Sequence, residues 1–185
     1  MNYIYRYRFD YIIIGIILLF GSFIALHRGS NFSDSDSYSV LLSFLDLIDT
    51  GVYNPSRGAY GHPIPELLIG FFAYLFGTPY SNLFCFICFF LSNIFLYKSF
   101  IKEEKYLYLY LLVVCSNFYL LFENTNSIDY PVALLFFSLG ILLLKKKLIY
   151  ISAIFFAFCI GSRANFSIFI YPIIFIFFYG NITKI

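Results

Sequence analysis

The sequence predicts an all-α protein: residues 1–185 form one transmembrane domain, a multi-span helical bundle of about six spans, with an amphipathic helix on the outer face in the first loop. Three observations predict it. The chain is 61% hydrophobic, with a mean hydropathy of +0.83. Charged residues make up 12%, about half the share usual in soluble domains, and a soluble core of this length could not bury so much apolar surface. The apolar residues are also gathered into runs bounded by charge, which suits a bilayer, where the lipid itself is the apolar solvent.

In order, the runs are 11–26, 67–76, 83–97, 106–122, 132–144, 148–160 and 167–179. Most fall a little short of the ~20 residues that cross a ~30 Å hydrocarbon core. Tyr11, Tyr97, Tyr106, Tyr130, Tyr150 and Tyr179 at their edges extend them into the interface, where tyrosine is favoured. The first run has the basic start and apolar middle of a signal sequence. The A-L-H-R-G-S that follows offers no small-x-small cleavage site, so an uncleaved signal anchor is expected.

Lysine and arginine set the expected orientation. Arg6 and Arg8 put the N-terminus in the cytoplasm; the loops holding Lys98, Lys102 and Lys105, and Lys145, Lys146 and Lys147, belong there too. Counting 67–76 as a span would carry the first of these loops outside. A helix that stays in or near the outer leaflet restores agreement, and about 15 Å of helix is half the hydrocarbon thickness. The chain is then outside through loop 27–82, crosses six times in all, and turns outside again at 123–129 and 162–165. This describes a multi-pass protein of the plasma or inner membrane. The net charge of +2 says little about partners; no nucleic-acid partner is expected.

Cys85 and Cys88 have C-x-x-C spacing, but with no polar neighbour and no second pair they read as small core- or lipid-facing residues, like Cys115 and Cys159. The spans hold few polar groups (Ser92, Asn93, Ser116, Asn117, Ser138 and Ser152), which argues against a solute path, since transporters bind near mid-bilayer.

The chemistry-bearing residues lie in the outer segments. Asp34 and Asp36 sit among serines before a stretch in which Leu41, Leu42, Leu45 and Ile48 recur at helical spacing, with Ser37 a candidate N-cap and Gly51 a helix stop. The two carboxylates either cap and solvate a loop, or supply a base or a D-x-D pair for a divalent cation. A turn-rich piece follows with Arg57, His62 and Glu66. Asp129, just before Tyr130-Pro131, either favours a helix N-terminus through the dipole or has a functional partner, since a carboxylate so close to hydrocarbon is costly. Arg163, in G-S-R-A-N, either snorkels to a lipid headgroup or grips a substrate phosphate.

In order, S-D-S-D-S-Y, D-T-G-V-Y-N-P, G-H-P-I-P-E-L-L-I-G-F-F-A-Y-L-F-G, N-S-I-D-Y-P-V-A-L-L-F-F and I-G-S-R-A-N-F resemble the N-terminal half of GT-C type membrane glycosyltransferases. That family includes protein O-mannosyltransferases and the aminoarabinose transferases of lipid A. The resemblance implies transfer of a sugar from a polyprenyl-phosphate donor to an acceptor at the outer membrane face. It implies Asp36 or Asp34 as the catalytic carboxylate, Asp129 as the second acid of the cavity, His62 on the acceptor side, and Arg163 near the lipid phosphate, with Arg57 as a second cation. Two features depart from the pattern: a serine separates Asp34 from Asp36, and Ile64 interrupts the double proline. The match to an N-terminal half also raises the expectation of a truncated module, completed by a second chain or inactive. The alternative class is a non-catalytic membrane scaffold or helper.

Overall fold

Backbone in an apolar solvent must satisfy its hydrogen bonds within the segment, which a helix does. The computed structural model describes residues 2–28, 35–56, 62–101 and 103–182. Its α-helices are α1 (Asn2–His27), α2 (Ser35–Thr50), α3 (Pro63–Phe76), α4 (Thr78–Phe100), α5 (Leu107–Ser116), α6 (Phe118–Asn124), α7 (Asp129–Lys145), α8 (Ile149–Ser162) and α9 (Ser167–Ile182). Short 3-10 turns occupy Glu104–Tyr106 and Ala164–Phe166, and there is no strand among the described residues.

Two stretches, Asp10–His27 and Thr78–Phe100, are long and apolar enough to cross a membrane, and α5 with α6 makes a third if the pair counts as one span. The remaining apolar helices include Pro63–Phe76 and Ile149–Ser162, which are shorter. A single helix was expected over 106–122, but α5 and α6 are bent from each other by 83°. Asn117 is the cause: its side chain accepts from the Leu120 amide at 3.2 Å and caps α6. Ser116 Oγ also donates back to the Val113 carbonyl at 3.0 Å. Short polar side chains that offer the backbone a local partner break helices in this way.

α4 and α7 run side by side in the same direction. At one end, Ser81 Oγ in the first turn of α4 lies 2.5 Å from Ser127 Oγ, two residues before α7. At the other, Lys145 Nζ donates to the Lys98 carbonyl at 3.1 Å. These are called below the site end and the lysine end. α8 returns along α7, where Ser152 Oγ donates to the Gly140 carbonyl at 2.7 Å. Between such apolar helices association comes from close packing and interhelical hydrogen bonds rather than from water exclusion. α1 lies against α4 and α5, with Ile17 and Ala25 packed against Phe86, Phe89 and Leu111.

α3 has both its ends at the site end. His62 precedes it beside Asp129, and Gly77, at φ +90°, turns the chain directly into α4. α3 therefore does not run the length of α4, which is the behaviour expected of the short run 67–76. Ser37 is not the cap of α2, because that helix begins at Ser35. Gly51, at φ +71°, does end it. Within the protein, α2 is covered at Val40, Ser43 and Phe44, whereas Leu42 and Ile48 are exposed. Gly70 of α3 explains this, since any Cβ there would collide with Phe44, and bare backbone admits the ring. All four cysteines are buried and unbridged.

Candidate functional site

The site end gathers side chains from three segments. α7 starts at Asp129, following Ile128 in extended conformation. The negative charge in the first turn suits the helix dipole. The carboxylate is 3% exposed, and Arg163 Nη1 straddles it, 2.9 Å from Oδ1 and 2.6 Å from Oδ2. Arg163 is the C-cap of α8. Its Nη2 donates to the Tyr130 hydroxyl, and its guanidinium carbon stands 3.5 Å above the Tyr130 ring centroid. His62, the N-cap of α3, places Nε2 3.8 Å from Asp129 Oδ2. The arginine thus turns inward to a carboxylate and a ring. Its Nε–H donates to no described residue.

A second acid underlies His62. Glu66 is 0% exposed. Burying a charge is tolerable only with full hydrogen bonding, and Glu66 has it. Tyr53 donates its hydroxyl to Oε2 at 2.5 Å, Ser56 Oγ donates to Oε1 at 2.5 Å, and the His62 amide donates to Oε1 at 2.9 Å. Partial burial, then the hydrogen bond to Glu66 and its charge, push the Tyr53 phenol well above its ordinary value. The carboxylate ties the chain before α3 to the first turn of α3, and so fixes where His62 stands. Its signature in sequence is an acid four residues after the histidine, behind Pro63 and Pro65.

The segment before Asp129 is fixed in the same manner. Thr125, Asn126, Ser127 and Ile128 are buried. Ser127 Oγ donates to Asn82 Oδ1 at 2.7 Å, and Cys85 Sγ to the Ile128 carbonyl at 3.7 Å. Arg28, at the end of α1, donates to the Phe122 carbonyl and to Thr125 Oγ1, and covers the Phe122 ring. α1, α4 and α6 thereby hold the entry to α7 in place.

Of the residues singled out in the sequence, His62, Asp129 and Arg163 come together. Asp34 and Arg57 lie outside the described residues. Asp36 is the second residue of α2, and its side chain is likewise outside the description. Among the described residues no three His, Cys, Asp or Glu side chains converge as metal ligands. Beside the cluster a cavity of about 520 Å³ opens between α4, α5, α6 and α7, with Tyr130 in its wall. Its size is that of sites for small organic ligands. No protein-family model, curated protein or solved structure matches the chain.

Proposed function

We propose that this chain is a GT-C type module of a membrane glycosyltransferase, taking a sugar from a polyprenyl-phosphate donor at the outer face of the membrane. One observation carries the reading: His62, Asp129 and Arg163, from three separate segments, meet at one end of the bundle beside an apolar cavity. The membrane arrangement proposed with it has six spans, namely α1, α4, α5 with α6, α7, α8 and α9, the lysine end being cytoplasmic. The contact of Lys145 with Lys98 and the two ends of α3 at the site end support it.

In the proposed reaction, an acceptor hydroxyl or amine attacks the anomeric carbon. The bond from that carbon to the phosphate oxygen breaks, and its electron pair leaves with the lipid phosphate. The acceptor's proton passes to a carboxylate, assigned to Asp36 with Asp34 beside it. Asp129 is paired with Arg163. Its role is to hold the guanidinium, whose remaining donors offset charge on the departing phosphate. His62 lines the acceptor side, and Arg57 is the second cation.

The test uses membranes containing the protein and a labelled polyprenyl-phosphate sugar. Loss of the base in Asp36→Asn should lower transfer by ~10²–10⁴-fold. If wild type transfers no sugar, alone or with a co-expressed C-terminal half, the enzyme reading fails. One observation favours a non-catalytic scaffold instead: Arg163 is engaged by Asp129 and Tyr130. A scaffold predicts that Asp129→Asn lowers stability and nothing else.

A further inference from the structure

The cavity at the site end carries the wrong charge for a phosphate. Much of its wall is apolar, including Phe89, Val114, Leu134 and Phe166, and its polar lining includes Glu123 and Tyr130. Glu123 is half-buried. Its carboxylate makes no hydrogen bond or ion pair to any described residue, whereas Asp129 and Glu66 are both engaged. Among the described residues no cation lines the cavity. Arg163 lies against the Tyr130 ring and is held by Asp129. A carboxylate facing such a space repels an anionic head group and accepts hydrogen bonds from hydroxyl or amine donors.

We infer that this cavity binds an amphipathic acceptor, with an apolar tail in the Phe89–Leu134–Phe166 wall and an uncharged or cationic hydroxyl- or amine-bearing head held by Glu123. The phosphate of the donor is excluded from it and belongs on the Arg163 side. The inference rests on the transferase reading for the word acceptor, but the binding it describes needs no turnover. α6 builds part of this lining. The break at Asn117 lays this helix across the bundle, so that Leu120, Glu123 and Asn124 all face the cavity. A straight helix over 106–122 would have carried Glu123 away from it.

The experiment uses the full chain in lipid nanodiscs and two probes with the same diazirine-bearing tail: a neutral alkyl glycoside and an alkyl phosphate. The glycoside should label peptides holding Phe89, Leu134 or Phe166 saturably. Unlabelled glycoside should compete, and the phosphate should not. Glu123→Gln removes a charge-assisted hydrogen bond and should weaken saturable labelling about tenfold or more. Leu134→Trp should abolish it by filling the space. If Leu134→Trp does not fold, the half-exposed Glu123→Gln decides alone. Equal or better labelling by the phosphate, or unchanged labelling in Glu123→Gln, overturns the inference. Saturable glycoside labelling without sugar transfer would leave it standing and sink the transferase reading. Transfer with no glycoside labelling would do the reverse.

Discussion

Replacing Glu66 by leucine tests whether a buried acid organises the site end. The change roughly keeps volume and removes every acceptor at once. Four donors then lose their partner: the Tyr53 hydroxyl, the Ser56 hydroxyl, the Ser56 amide and the His62 amide. A donor left buried and unsatisfied costs about 1–3 kcal/mol. The His62 amide has nowhere else to turn within the first turn of α3, so it should bear that in full. Tyr53 and Ser56 are half-exposed and can recover bonds to water, so each should contribute less. Relief from burying a charge offsets part of the loss. The net expectation is about 2–4 kcal/mol lost in Glu66→Leu, with Glu66→Gln, which keeps one acceptor oxygen, between it and wild type. Equilibrium unfolding in mixed detergent micelles reads the difference. A leucine variant within about 0.5 kcal/mol of wild type, or more stable, would refute the organising role and leave the carboxylate to be explained by chemistry. Tyr53 supplies an independent arm. Its folded value is raised, so the folded state keeps a proton that the unfolded chain releases above the ordinary value of 10.0. That stability is fully present below pH 10 and is lost as pH rises past it. Tyr53→Phe should flatten this part of the alkaline loss.

Arg163→Met leaves the Asp129 carboxylate buried without its cation and should cost about 3–5 kcal/mol, whereas Asp129→Leu combined with Arg163→Met should cost less than the sum of the singles; strict additivity in a double-mutant cycle would mean the pair is not coupled. Gly70→Ala forces Phe44 to move and should destabilise the α2–α3 contact by about 1–3 kcal/mol, measured by the same unfolding; Gly15→Ala, which meets nothing within 4 Å, is the control. Reporter fusions at Lys146 should be cytoplasmic and at Asn126 outside, and a fusion at Lys98 that reports outside would overturn the six-span arrangement.

Helix positions were legible because hydropathy alone writes them. Runs bounded by lysine and tyrosine gave α8 to within two residues and α7 to within three, whereas α4 extends five residues before and three beyond its apolar run. What hydropathy does not encode is where an apolar run breaks. Within 106–122 only Ser116 and Asn117 mark the fault, and in isolation they read as two tolerated polar groups in a span. Their effect comes from backbone bonding, not from transfer energy. Which face of α2 packs against α3 is likewise not written in its leucines. Leucine spacing identifies an apolar stripe, but which stripe is covered depends on Gly70, far along the chain in α3, where the absence of a side chain is the signal.

The site divides along the same line. Asp129, His62 and Arg163 stood out because each is a polar residue at the edge of an apolar run, where charge is expensive and is kept only with a partner. The partner of each was invisible, since pairing at the site end is set by helices whose termini meet only after folding. Arg163 was weighed between a lipid headgroup and a phosphate; a buried carboxylate 34 residues away in sequence was the contact neither reading contained. Glu66 was passed over because an acid at a helix start is normally at ease in water. Here the described donors that replace water are Tyr53, Ser56 and the His62 amide. By binding Tyr53, Ser56 and the His62 amide, this one carboxylate fixes where His62 stands, beside the arginine–aspartate pair.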